Sequence, residues 1–326
     1  MVGQTVSIKT SFIIPHKGRE EMLVDTIQSI ADLDTPKTEF EVIIVSQNDS
    51  VSELIQSYNK TLNLSVIYNN EERTISHSRN AGAQQARGEY LAFLDADVAL
   101  ANSWLNTMIE IITSRPNTVL VSAMQVNSQG ATPLEKIRTA LSNAELDTEV
   151  NFLPGRNLFI QKETFEKAGR FPEHLLTCED YYFTDKVNEI GGLYYTSQTQ
   201  YVHIGEDKAF LPMYKKEIWR GQSNLASLKG RKIPLRELPS FLVPFAVTGG
   251  VISAIIGLVL NNHSISAILF MLALLPFGAY TLRLKKLTRG TVSLYYCIMF
   301  YALYFPARAL GTLLGVRGAV TTSSHR

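Results

Sequence analysis

Residues 90–100 read YLAFLDADVAL. Tyr90 to Leu94 form a short apolar run with no polar alternation, as expected of a strand covered on both faces. Asp95 and Asp97 follow at once. Carboxylates cost several kcal/mol to bury unpaired, so something must compensate them where this strand ends. The stretches before it repeat one theme. SIKTSFIIP (7–15), FEVIIVS (40–46) and LSVIYNN (64–70) read as strands. REEMLVDTIQSIADL (19–33), VSELIQSYNKTL (51–62) and SHSRNAGAQQARG (76–88) read as helices, the last closed by Gly88 at its C-cap. A β-α-β-α-β-α-β order predicts a parallel sheet flanked by helices.

In such sheets ligands bind beyond the carboxyl ends of the strands. Strand alternation would send Asp95 and Asp97 to one side and Ala96 to the other. Two carboxylates on one side repel unless a cation joins them. A hard divalent ion that also holds a diphosphate fits. The tripeptide D-x-D is common by chance; its place after three βα units gives it weight.

The chain has 326 residues, enough for a core and a second region, and a net charge of +1 that points to no nucleic acid. Two distant cysteines, Cys178 and Cys297, suggest no disulfide framework and a reducing compartment. The opening MVGQTVSIKTSFIIPHK lacks a basic leader and a cleavage site and reads as mature chain. Composition then changes. Residues 1–235 are mixed, and 236–326 hold apolar runs at 241–260, 264–282 and 291–316, the last with Pro306 and Arg308. About 20 apolar residues cross a bilayer core, so two or three transmembrane helices are expected. KGRKIPLRE (229–237) and RLKKLTR (283–289) are basic, whereas NNH (261–263) carries no Lys or Arg. The positive-inside rule places residues 1–240 in the cytoplasm of a multi-pass plasma-membrane protein.

SFIIPHKGREE, EVIIVSQNDS, SHSRNAGAQQARGEYLAFLDADV, LPGRNLFIQKETFEKAGRFPEHLLTCEDYYFTDKV and WRGQSN occur in that order. Together they resemble the family 2 inverting glycosyltransferases of GT-A fold, in particular the membrane-attached members. The resemblance covers about residues 7–225. It implies an α/β GT-A-like, mostly parallel sheet flanked by helices, followed by the transmembrane helices. It also implies a nucleotide-sugar donor, a UDP- or GDP-sugar, and Mg²⁺ or Mn²⁺. Pro15 would border the nucleotide pocket, and Arg79 and Asn80 would lie near nucleotide and diphosphate, a role a guanidinium fork suits. Asp97 would ligate the metal, joined by Asp95, which alternatively reaches the ribose, and by His203. Asp180 would be the catalytic base, with Glu179 beside it. Thr177 and Asp180 are also residue types that cap a helix such as YYFTDKVNEIG. Asn157 would line the acceptor and sugar pocket, and Trp219 would stack there or anchor at the membrane interface.

Two departures stand out. The second strand ends in SQNDS, which displaces the base-contacting acid to Asp49 or replaces it by Gln47. IWRGQ stands where processive polymerases carry Q-x-x-R-W. The expectation is transfer of a single sugar to a lipid-linked, glycan or other membrane-proximal acceptor. A nucleotidyltransferase would want a Gly-rich loop, which PHKGREE does not supply. An inactive scaffold would have no reason to hold both Asp97 and Asp180.

Overall fold

The structure, a computed structural model, describes residues 8–69, 72–222 and 235–322. Part of the basic stretch 229–237 and the last two residues of WRGQSN lie outside these. β1 (Thr10–His16), β2 (Phe40–Ser46), β3 (Leu64–Tyr68) and β4 (Tyr90–Leu94) stand in the order β3-β2-β1-β4 with parallel pairing. α1 (Glu20–Ala31), α2 (Glu53–Ser57) and α3 (Ile75–Gln85) make the crossovers.

Alternate strand residues feed two cores. Phe12, Ile14, Val42, Ile44, Ala92 and Leu94 pack with Leu23, Ile27 and Ile30 of α1. Ile13, Ile43, Val45, Leu91 and Phe93 pack on the other face with Ala83 of α3. Each Val, Leu, Ile or Phe among them contributes about 1.5–3 kcal/mol when fully buried, which is why these strands show no polar alternation. Gly88 does not cap α3, whose C-cap is Ala86. A Cβ at Gly88 would lie 2.7 Å from Ser11 N and from Thr10 C, so glycine is there to let the chain pass close to β1.

Beyond β4 come β5 (Val98–Leu100), α4 (Trp104–Ser114), β6 (Thr118–Val126), α5 (Pro133–Ser142), β7 (Thr148–Val150), β8 (Asn157–Gln161), α6 (Lys162–Lys167), α7 (Glu179–Asn188) and β9 (Gly192–His203). The sheet continues β4-β8-β6-β9-β5, with β7 on β9. β8 runs antiparallel to β4 and β6, so the sheet is parallel in its first half and mixed beyond.

The described chain groups into two compact units, residues up to 128 with 145–205, and 129–144 with 206 onward. By packing, the division falls at 205 rather than 235. The reason lies in α5 and in α8 (Phe210–Gly221). Leu134, Ile137 and Met213 share one core with Val247, Leu284, Phe300, Tyr301 and Phe305 of the apolar helices. α5 is started by a capping box between Thr132 and Glu135 with Pro133 in its first turn. α9 (Leu238–Val259), α10 (His263–Leu287) and α11 (Leu294–Thr322) follow, and each is long and apolar enough to cross a membrane.

Candidate active site

β4 stops at Leu94, and Asp95 to Asp97 form the turn into β5. Strand alternation therefore does not place the two carboxylates; the turn does, held by Asp95 N donating to Arg156 O at 3.0 Å and Ile204 N to Asp97 O at 2.7 Å. Asp95 Oδ1 accepts from Arg79 Nη2 at 2.9 Å. Asp97 Oδ1 lies 3.3 Å from His203 Nε2, and its Oδ2 lies 3.6 Å from Arg19 Nη2. The two acids of the strand end thus have different partners.

Arg79 is neither a solvated helix charge nor turned outward to a diphosphate. It is 1% exposed, and its Nη1 donates to Glu179 Oε1 at 2.9 Å and its Nη2 to Gly155 O at 3.2 Å, with the guanidinium 5.0 Å from the Phe171 ring centroid. Burial works against its charge, but Asp95, Glu179 and Asp180 outweigh burial and raise its pKa. Asn80 is also spent inside. Its Nδ2 donates to Phe171 O and Glu173 Oε1, and its Oδ1 accepts from Phe171 N, so it clamps the segment ahead of α7.

α7 begins at Glu179 behind Cys178, which adopts the left-handed φ of 64° and makes no side-chain cap. Neither Thr177 nor Asp180 is the cap residue. Asp180 Oδ2 instead accepts from Gly155 N at 3.3 Å, and its Oδ1 from Tyr181 N at 2.9 Å. Burial and the adjacent Asp180 raise the pKa of Glu179, opposed by Arg79. Tyr181 stacks on Phe152, ring centroids 3.8 Å apart, at the flank of Asp180.

On the side of the first strands, Pro15 is buried in register with Val45. His16 contacts Ser46 Oγ at 3.2 Å and Gly18 O at 2.9 Å, and burial lowers its pKa. Asn48 Oδ1 accepts from Gly18 N at 2.8 Å, which ties the turns after β1 and β2, and Asp49 is exposed just beyond. Asn157 does not line a pocket. It is fully buried, and its Oδ1 accepts from Ala123 N at 2.8 Å and Trp104 Nε1 at 3.3 Å, joining β8 to β6. Trp219, half exposed on α8, belongs to the second unit.

Sequence reading passed over three residues. Arg19 faces Asp97, and Arg156, in the same GRN triplet as Asn157, donates to Gln125 Oε1. Gly205 is the third: a Cβ there would overlap Asp97 Oδ2. Among the described residues no group of three or more His, Cys, Asp or Glu side chains is gathered for a metal. Asp97 and His203 nevertheless offer an oxygen and an imidazole nitrogen within one ion's reach of each other, and the missing Cβ of Gly205 leaves their carboxylate room. That set suits an ion that completes its shell with water and phosphate.

This fold, with its acids at the carboxyl end of β4, is that of the GT-A glycosyltransferases. Residues 11–169 match the model of the family described as glycosyl transferase family 2. Glycosyltransferase AglE of Haloferax volcanii is 25% identical over 187 residues, 56% of this chain and 62% of that protein. Poly(ribitol-phosphate) beta-N-acetylglucosaminyltransferase TarS of Staphylococcus aureus is 29% identical over 225 residues, 64% of this chain and 36% of that protein. The chain thus spans less than two thirds of either relative's length. Among solved structures, mannosyltransferase PcManGT from Pyrobaculum calidifontis in complex with GDP-Man and Mn²⁺ superposes with a TM-score of 0.62 at 16% identity, covering 95% of this chain and 88% of that one. Residues 1–349 of S. aureus TarS with UDP-GlcNAc give 0.52 at 17%, covering 92% and 90%.

Proposed function

We propose that this protein is a membrane-attached, inverting, metal-dependent glycosyltransferase. It moves one sugar from a UDP- or GDP-sugar to a lipid-linked or membrane-proximal glycan acceptor, from a catalytic unit on the cytoplasmic face of the plasma membrane. The observation that carries the reading is the arrangement of acids. Asp180 rests on the Gly155 backbone, next to the Glu179–Arg79–Asp95 chain, while Asp97 faces His203 beside Gly205.

In this reading Asp180 takes the proton of the acceptor hydroxyl as that oxygen attacks the anomeric carbon and the bond to the diphosphate breaks. Phe152 and Tyr181 offer a flat apolar edge beside it for the acceptor. Arg79 holds Glu179 and Asp95 in place and opposes the rise that burial gives their pKa values. Asp97 and His203 would hold the metal, which supplies charge neutralisation for the departing diphosphate; Asp95, tied to Arg79, supports from behind. Pro15, His16 and the Asn48–Gly18 turn border the donor's nucleotide, with Asp49 and Arg19 at its rim.

The test is a donor screen on purified membranes. Radiolabelled nucleotide sugars are offered singly, and product is partitioned between organic solvent and water. Label from one UDP- or GDP-sugar entering the organic phase supports the proposal. No transfer from any donor, with the folded protein present, would sink it.

A further inference from the structure

Among the described residues three helices are long and apolar enough to cross a membrane, but α11 differs from the other two in what it touches. Of its most apolar stretch 44% is buried inside the protein, against 22% for α9 and 17% for α10. α9 and α10 pack on each other along a hairpin, with Gly250 against Ala273 and Gly257 against Ser266. α11 joins that hairpin through Val243, Val247, Phe277, Tyr280 and Leu284, which lie toward the ends that carry Leu238 and Leu287.

Much of its remaining buried face is taken by α8, running in the same direction, with α5 beside it at Phe300. Phe210 stacks on Tyr296 at 6.3 Å. Further on, Arg308 Nε lies 3.0 Å from Glu217 Oε2. Beyond that the backbones meet: a Cβ at Gly311 would strike Ile218 O, and one at Gly315 would strike Gln222 O. α8 is a charged helix, with Lys215, Lys216, Glu217 and Arg220 in succession. Glu217 is 1% exposed and is also held by Arg138 of α5 at 2.6 Å and Arg220 at 2.7 Å; Arg138 binds Asp207 at 2.9 Å. A crossing by α11 would carry α8 and this ion cluster into hydrocarbon, where charged side chains are rare and costly.

The opposite side of α11 is apolar and open. Tyr295, Ile298, Ala302, Leu310 and Leu313 are exposed, with half-exposed Pro306 between them, and they fall at helical spacing on one stripe. The stripe is continuous in character with the exposed apolar flanks of the hairpin, such as Ile252, Ile255 and Leu272. Taken together, α8 and α11 present a charged side and an apolar side, the two faces that seat a helical element in a membrane interface.

We propose that α11 does not cross the bilayer. It lies along the headgroup–acyl boundary, its Tyr295–Leu313 stripe in the lipid and its Arg308–Gly315 side on α8. The membrane part is then a two-helix hairpin plus an interfacial helix, and the C-terminus stays on the side that holds α8 and the basic turn at 283–289. This holds whichever sugar is moved.

The test uses the full chain in sealed vesicles of known orientation, with Cys178→Ser as the background and buried Cys297 left in place. Single cysteines are introduced as Arg289→Cys, as Asn262→Cys and in a tag after Arg326, then labelled with a membrane-impermeant maleimide. The tag is expected to label from the same side as Arg289→Cys and opposite to Asn262→Cys. Labelling of the tag from the Asn262→Cys side would overturn the proposal. Separately, a fluorophore on Leu310→Cys and one on Leu313→Cys should each be quenched more by nitroxides near the headgroup than by nitroxides deep in the acyl chain. Stronger quenching by the deep nitroxide at Leu310 would overturn it as well.

Discussion

Arg79 Nη2 and Asp95 Oδ1 lie 2.9 Å apart, and the same guanidinium holds Glu179 through Nη1. One buried cation therefore serves an acid from the end of β4 and an acid from the start of α7. Removing it would leave two partly buried carboxylates without a counter-charge, a change that costs about 3–5 kcal/mol. Arg79→Met is expected to lower the unfolding midpoint and abolish transfer. Arg79→Lys keeps the charge but not the fork, so it should fall between the two. Thermal unfolding in detergent checks the order; a fully stable Arg79→Met protein would refute the bridging role.

Asp180 and Asp97 should fail in different ways. Loss of a general base costs about 10²–10⁴-fold in rate, so Asp180→Asn should lower kcat by that much while donor affinity persists. Asp97→Ala should also lose metal-dependent donor binding, read by calorimetry with Mn²⁺ and the nucleotide diphosphate. Equal donor binding by the Asp97→Ala and parent proteins would remove Asp97 from the metal site.

Gly205 and Gly88 separate activity from stability. A methyl at 205 meets only the Asp97 carboxylate within its closest contacts, so Gly205→Ala should mimic Asp97→Ala in activity with a small change in unfolding midpoint. A methyl at 88 meets the β1 backbone, which cannot step aside, so Gly88→Ala should destabilise by about 1–3 kcal/mol. Parallel activity and unfolding measurements on both variants decide whether the two positions differ in this way.

Glu217 sets an acid limb. Burial alone would raise its pKa, but Arg138, Arg220 and Arg308 together hold it at about 2, against an ordinary value of 4.5. A carboxyl whose folded pKa is depressed stabilises only when ionised. Its contribution is complete above pH 4.5 and drains away as pH falls toward 2. The unfolding midpoint should drop through that window, and Glu217→Gln should start lower and lose part of the drop. An unchanged acid limb in Glu217→Gln would assign the drop to other groups.

The sequence made the first four strands legible because their apolar runs and the helical spacing between them are local signals. It also placed Asp95, Asp97 and Asp180 at the strand end and at the start of α7. Of their partners only His203 was expected, beside Asp97 and through the family resemblance; Arg79 and Gly155 reach the acids from separate segments that only the folded sheet brings together. The same limit explains Arg79, Asn80 and Asn157. Each is a residue type that suits a ligand, and each is spent on neighbours distant in sequence. Gly88 reads as a cap from its position but is required by a backbone 77 residues upstream in β1. α5 gave no hint of its allegiance, since its amphipathic pattern fits any apolar surface.

α5 and α8 share their core with the apolar helices, and the chain enters that core twice, at 129–144 and again from 206. The part that holds the long apolar helices is consequently not a detachable tail. Cutting the gene after codon 235 would strip Leu134, Ile137 and Met213 of their cover, leave Glu217 without Arg308 and leave Arg138 without the Phe300 ring. Such a fragment is expected to aggregate when expressed alone, whereas a version that also redesigns those apolar positions as polar ones should stay in solution.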